Sequence, residues 1–199
     1  DFCSRHDLII CSDEIHCDLI LEPGRPHVSI LNFEEFQDRT ILFMAASKTY
    51  NLAGLGCAYA VIPNPELRQR FQAASGGLLP PVNLFGYAAT EAAYRYGETW
   101  RQQLLVYLRE NRDHLMDFIK NRIPSLQVSP IEATYLAWID VRELGQERPI
   151  PYFHRHGLGL SNGKDFGAPG HVRFNFGCSR ALLNEGLERM KTAADSAQS

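Results

Sequence analysis

The sequence predicts an α/β fold: part of a large domain, mostly parallel sheet with helices, followed by a smaller α+β C-terminal domain. Three observations lead there. Short, continuous apolar runs in the first third of the chain stop at turn residues, the pattern of strands buried on both faces of a parallel sheet. A long segment of three-or-four spacing follows. Beyond it, strand-like and helix-like stretches mix. The expected division is 1–97 for the partial large domain, 98–122 for a connecting helix and 123–199 for the small domain.

The elements follow in order. Leu8-Ile9-Ile10-Cys11 is the first strand and stops at Ser12-Asp13-Glu14. Glu34 to Asp38 suits a short surface helix. Thr40 to Ala46 is the second strand, ending at Ser47-Lys48, and Gly56 to Ile62 the third, closed by Pro63. About eight residues separate the last two, too few for a helical crossover, so they should pair antiparallel. Pro65 opens a helix over Glu66 to Ala74, and Ser75-Gly76-Gly77 ends it. Asn83 to Tyr96 is Ala-rich and helical, terminated by Gly97. Glu98 to Arg122 is the longest helix; Leu104, Leu108, Leu115, Phe118, Ile119 and Arg122 carry its spacing, and Pro124 stops it. Strands are expected at Leu126–Val128, Tyr135–Ile139 and His171–Phe176, helices at Ile150–His156 and Arg180–Ala194, and a loop at Gly163–Gly170.

Composition narrows the class. With 199 residues, 45% hydrophobic and 22% charged, the chain reads as an ordinary globular protein. A net charge of −3 with no basic block argues against a nucleic-acid partner. No apolar run approaches the ~20 residues that span a bilayer, so no membrane role is expected. The N-terminus is polar and lacks a signal-peptide core, and with no initial Met the chain reads as cut from a longer one. Cysteines 3, 11, 17, 57 and 178 are odd in number and form no Cys-x-x-Cys pair, which points to a reducing, cytoplasmic setting. His154 and His156 have no third ligand at a familiar spacing and read as two partly exposed histidines.

Two strand tips carry the chemistry. One apolar strand ends at Asp13 and the next at Lys48, and in open α/β sheets ligands bind at the carboxyl ends of strands. An unpaired lysine ending an apolar strand is costly, and a Schiff base to a carbonyl removes that cost. Pyridoxal 5'-phosphate (PLP) requires such a set: an amine for its aldehyde, a carboxylate for its pyridine nitrogen, and donors for its phosphate. An amino-acid substrate adds an α-carboxylate, for which Arg173 in an apolar strand is the candidate fork. Each residue also has a plainer reading. Asp13 could cap its turn, Lys48 could snorkel to solvent, Arg173 could pair with Asp140 or Asp165, and His16 could be structural or join Asp13 and Asp18 around a metal.

Three ordered segments resemble the class I/II aminotransferase superfamily of fold-type I PLP enzymes: Asp13-Glu14-Ile15-His16-Cys17-Asp18, Ser47 to Leu55, and Arg173-Phe174-Asn175-Phe176-Gly177. A finer resemblance is to its cystathionine β-lyase-like (C–S lyase) branch, through Asp13 to Asp18, Ser47 to Leu55, Arg173 to Arg180, and Glu132 to Trp138. The resemblance implies that Lys48 binds the PLP aldehyde and moves protons at Cα. It places Asp13 on the pyridinium nitrogen, His16 near the phenolic oxygen, Ser47 and Thr49 toward the phosphate, and Arg173 on the substrate carboxylate. It departs from many aminotransferases at Gly56 and Ala45, where arginine and serine are usual, which favours the lyase branch. It also implies a parent about twice this length that is usually a homodimer, whose other half holds further cofactor contacts. The implied activity is β-elimination from an S-substituted cysteine. An aminotransferase is the alternative enzyme, and a regulatory or binding module the non-enzyme alternative.

Overall fold

A computed structural model describes residues 2–197. The chain divides into two compact units, Asp1–Gln103 and Leu104–Ser199.

The first unit runs α1 (Phe2–Arg5), β1 (Ile10–Asp13), α2 (Glu34–Gln37), β2 (Thr40–Met44), β3 (Tyr59–Val61), α3 (Pro65–Ser75), α4 (Leu84–Tyr96) and the first turns of α5 (Glu98–Arg122). Its sheet has the order β1-β2-β3. β1 is parallel to β2, from Ile10 beside Thr40 to Asp13 beside Phe43, and β3 returns antiparallel as the short connection requires. Ile41, Ile62 and Leu67 form a core cluster, with Phe43, Ala60 and Phe71 packed on it. Burial on both faces, expected of the first strand, does not hold. β1 alternates half-buried and exposed residues, so one of its two faces is left open among the described residues.

Local chemistry sets the helix starts. The Asn64 side chain accepts from the Glu66 and Leu67 amides and Pro65 takes the first helical position, so α3 begins with its orphan donors answered. Asn83 Oδ1 accepts from Gly86 N at 2.8 Å and does the same for α4.

The second unit contains the rest of α5, then β4 (Gln127–Val128), β5 (Leu136–Asp140), α6 (Pro149–Arg155), β6 (Ser161–Asn162), β7 (His171–Asn175) and α7 (Arg180–Ala197). The sheet order is β4-β5-β7-β6, antiparallel throughout. Ala137, Ile139, Val172 and Phe174 are buried on one face, and Gly186 of α7 lies against the Phe174 ring. The buried stripe of α5 is Leu105, Leu108, Asn111, Leu115 and Ile119. The expected stripe was rotated slightly, taking Leu104 for Leu105 and passing over Asn111. That asparagine is fully buried, and its Nδ2 donates to the carbonyls of Phe176 and Cys178, both at 3.0 Å. β6, only two residues long, gave no sequence signal. The expected 163–170 loop contains a 3₁₀ turn, Gly163–Phe166.

Candidate active site

The parallel ladder brings Asp13 to the carboxyl edge of the sheet, in register with Phe43. β2 then ends at Met44, and Lys48 follows in a turn rather than ending the strand. That turn is a single helical one: Tyr50 N donates to Ala46 O and Leu52 N to Ser47 O. Asn51 closes it at φ 56°, a left-handed value that asparagine tolerates better than most side chains. Both segments therefore leave the same edge of one parallel pair.

Lys48 is exposed, so the cost of an apolar lysine does not arise: water solvates the ammonium. Among the described residues its amine makes no ion pair, and the Ser47 hydroxyl has no hydrogen-bond partner. Asp13 is exposed, and its Oδ1 accepts from Ile15 N at 3.4 Å. The capping reading of Asp13 thus holds weakly, through one oxygen, and the other oxygen is uncommitted. His16 is half-buried in the turn that follows. An uncommitted amine, carboxylate and hydroxyl at one sheet edge is a donor set that fits an aldehyde-bearing pyridine phosphate. Thr49 belongs to it less well. It is 1% exposed and its hydroxyl is buried without a partner among the described residues.

The residue that anchors the Asp13 loop escaped the sequence reading, although it stands next to Asp13. Glu14 is 7% exposed. Its carboxylate accepts from Ser12 Oγ at 2.9 Å, from Ile30 N at 2.9 Å and from His27 Nε2 at 2.7 Å. Burial raises its pKa, but the hydrogen bonds from Ile30, His27, Ser12 and Ser29 outweigh burial and hold it below 4.5. Cys17, farther along the same loop, moves the other way. Burial and the charges of Asp18 and Glu14 push its thiol up to about 11, which leaves it protonated and unreactive.

In the second unit, Arg173 lies opposite Trp138 on one side and Ser161 on the other, so the three share a face. Its neighbours Val172 and Phe174 point to the buried face. The guanidinium donates from Nη2 to Ser161 Oγ at 3.2 Å and sits 4.6 Å from the centre of the Phe166 ring. Trp138 meets Phe166 edge-on at 5.8 Å and stacks on His171 at 5.7 Å. Among the described residues Arg173 forms no ion pair. The alternative partner Asp140 is bound instead by Arg142, at 2.6 Å, which holds its pKa at about 2. Arg173 is therefore a half-buried cation with fork donors left for a carboxylate.

The rest of that segment has structural work. Asn175 Oδ1 accepts from Gly177 N at 2.9 Å, and buried Phe176 donates its N–H to Tyr135 O at 2.9 Å. A Cβ at Gly177 would stand 3.0 Å from the Tyr135 ring. His156 is occupied locally, its Nδ1 3.0 Å from Tyr152 O.

The family model described as aminotransferase class I and II matches residues 1–190. Cystathionine β-lyase PatB of Bacillus subtilis is 33% identical over 97% of the chain and 51% of its own length. Aspartate aminotransferase of the same organism matches at 25% identity. Among solved structures, OvoB is 49% identical with a TM-score of 0.93, over 98% of this chain and 52% of that one. Cystalysin from Treponema denticola, solved with pyridoxal 5'-phosphate, is 33% identical with a TM-score of 0.90, over 98% and 51%. The chain spans about half the length of the relatives it matches.

Proposed function

The chain belongs to the class I and II aminotransferase family, and from that premise we propose that the whole protein is a PLP-dependent C–S β-lyase. Its substrate is an S-substituted cysteine such as cystathionine, cleaved with water to a thiol, pyruvate and ammonia. The observation that carries the reading is the uncommitted Lys48 amine leaving the same sheet edge as the Asp13 carboxylate. The greater likeness to cystathionine β-lyase PatB than to the aspartate aminotransferase of the same organism supports elimination over transamination.

When bound, PLP supplies an aldehyde that condenses with amines and a ring that draws the electron pair away from Cα. Lys48 would hold that aldehyde, and its amine would serve as the base for the Cα proton. The Asp13 carboxylate favours a proton on the ring nitrogen. His16 would serve the phenolic oxygen, and the Ser47 hydroxyl the phosphate. Arg173 takes the substrate α-carboxylate through its fork, steadied by Ser161 and Phe166.

An aminotransferase remains the second reading, because transamination begins with the same proton transfer at the same residues. Incubation of the whole protein with cystathionine should release pyruvate without an added keto acid. Turnover only when a keto acid is supplied would replace the lyase reading with transamination.

Two further proposals concern setting. Leu78, Leu79, Leu84, Phe85, Tyr87 and Tyr96 are large apolar side chains exposed on the first unit, and a homodimer of the whole protein is the partner proposed to cover them. The free state of all five cysteines supports a reducing, cytoplasmic location. No helix among the described residues is long and apolar enough to cross a membrane.

A further inference from the structure

We infer that the corner between α4 and α5 clamps the Asp13–Asp18 and Ser47–Leu52 segments against one another, with Gly97, Trp100 and Arg101 as positioning residues for the cofactor site. The inference rests on the roles proposed for Lys48 and Asp13.

The two segments lie far apart in sequence, and the ladder joins them only up to Asp13 and Phe43. Beyond that register both are turns, so something else must set their spacing. Arg101 holds the first. Its Nη1 donates to Asp18 O at 2.9 Å, across 83 residues of sequence. The guanidinium is aimed by Glu98, which accepts from Nε and from Nη2, both at 2.8 Å. Gln102 donates to the same carboxylate at 2.7 Å. Arg101 and Gln102 together hold the Glu98 carboxyl down to about 2, so the fork is intact across the neutral range.

Trp100, one residue away, holds the second segment. Its indole stacks on Tyr50 at 5.9 Å, with 29° between the rings. Tyr94 meets the same ring edge-on at 6.0 Å, and Tyr59 packs on Tyr94 in turn at 6.4 Å. Tyr50 is two residues from Lys48 and inside the same helical turn.

Gly97 shows how tight this corner is. It was expected only to end a helix. Its φ is −84°, ordinary helical backbone that any residue adopts, so conformational freedom does not require glycine. Space does. A Cβ there would lie 2.5 Å from Tyr50 Cε1 and 2.4 Å from Ala93 O. One helix corner thus grips the loop of the carboxylate by a hydrogen bond and the loop of the lysine by a ring stack. Side chains placed this way fix reacting groups without touching them.

The test uses the whole protein, stripped of PLP and titrated with it, with Kd read from the visible band of the lysine-bound cofactor. Arg101→Met, Trp100→Leu and Gly97→Ala are each expected to raise Kd by about three- to thirtyfold, the range of one lost contact of this kind. Each should also displace the pH midpoint of that band. Arg101→Lys and Trp100→Phe, milder changes that preserve folding, should fall between wild type and the larger substitutions. A rise below threefold in all five, or a lower unfolding midpoint with unchanged Kd and spectrum, overturns the clamp. Lys48→Ala separates the two readings. If it abolishes the band while the corner variants bind normally, the clamp alone fails; if the band survives it, the site reading fails first.

Discussion

Replacing Glu14 by Gln tests whether one buried carboxylate anchors the loop that carries Asp13 and His16. The carboxylate is 7% exposed and accepts from Ser12, Ile30 and His27 at 2.9, 2.9 and 2.7 Å. Hydrogen bonds to a charged group contribute about 1.5–3 kcal/mol each, neutral ones about 0.5–1.5. Glutamine keeps one oxygen, which can still accept from Ser12 and Ile30 at neutral strength, a loss of about 1 kcal/mol each. Its amide then faces His27 Nε2, which must change tautomer to accept, for a further loss of about 1 kcal/mol. The sum is about 3 kcal/mol, or about 1–1.5 M in urea midpoint at a slope of 2–3 kcal/mol/M. Urea unfolding of the apoprotein measures it, and faster amide exchange at Ile30 localises it. The pH dependence has a definite sign. Glu14 has a depressed pKa in the folded protein, so its contribution is complete above 4.5 and is lost as pH falls through the folded value. The gap between wild type and variant should therefore close on acidification below 4.5. A variant within about 0.5 kcal/mol of wild type at neutral pH refutes the anchoring role.

Arg173→Lys in the whole protein should raise KM for the amino acid by about ten- to a hundredfold with a smaller effect on kcat, because it removes the fork and leaves the charge; steady-state kinetics against an amine lacking the carboxylate is the control, and an unchanged KM refutes the assignment. Asn111→Ala strips the buried Phe176 and the half-buried Cys178 carbonyls of their donor and should cost about 2–4 kcal/mol in chemical denaturation. Gly177→Ala sets a methyl about 3.0 Å from the Tyr135 ring and should lower the unfolding temperature, an effect that Tyr135→Ala in the same chain should relieve. Leu84→Arg with Phe85→Arg, at residues 78% and 76% exposed, should shift the sedimentation of the whole protein from dimer to monomer.

The elements were legible because their signals are local. Glu98 to Arg122 is a helix over the expected span, since apolar spacing and a following proline act within a few turns. Asn64 with Pro65 marks the start of α3 by capping chemistry that no distant residue alters. The antiparallel return of β3 followed from connection length alone. Misses arose where an element owes its character to partners. β1 is too apolar to reveal that one of its faces is left open among the described residues, and β6 is two residues that exist as strand only by pairing with β7.

The ordered segments around Asp13, Lys48 and Arg173 indicated the family by resemblance, and the carboxylate, amine and guanidinium they carry indicated the chemistry to look for. What only the tertiary structure decided is what holds them. Glu14 reads as one more acid until Ile30 and His27 close over it. Gly97 reads as a helix stop until Tyr50 fills the space beside it. Arg173 reads as half of an ion pair until Asp140 turns out to be held by Arg142. The physical reason is common to all three: burial, packing space and charge pairing are set by atoms remote in sequence, and no local pattern records them.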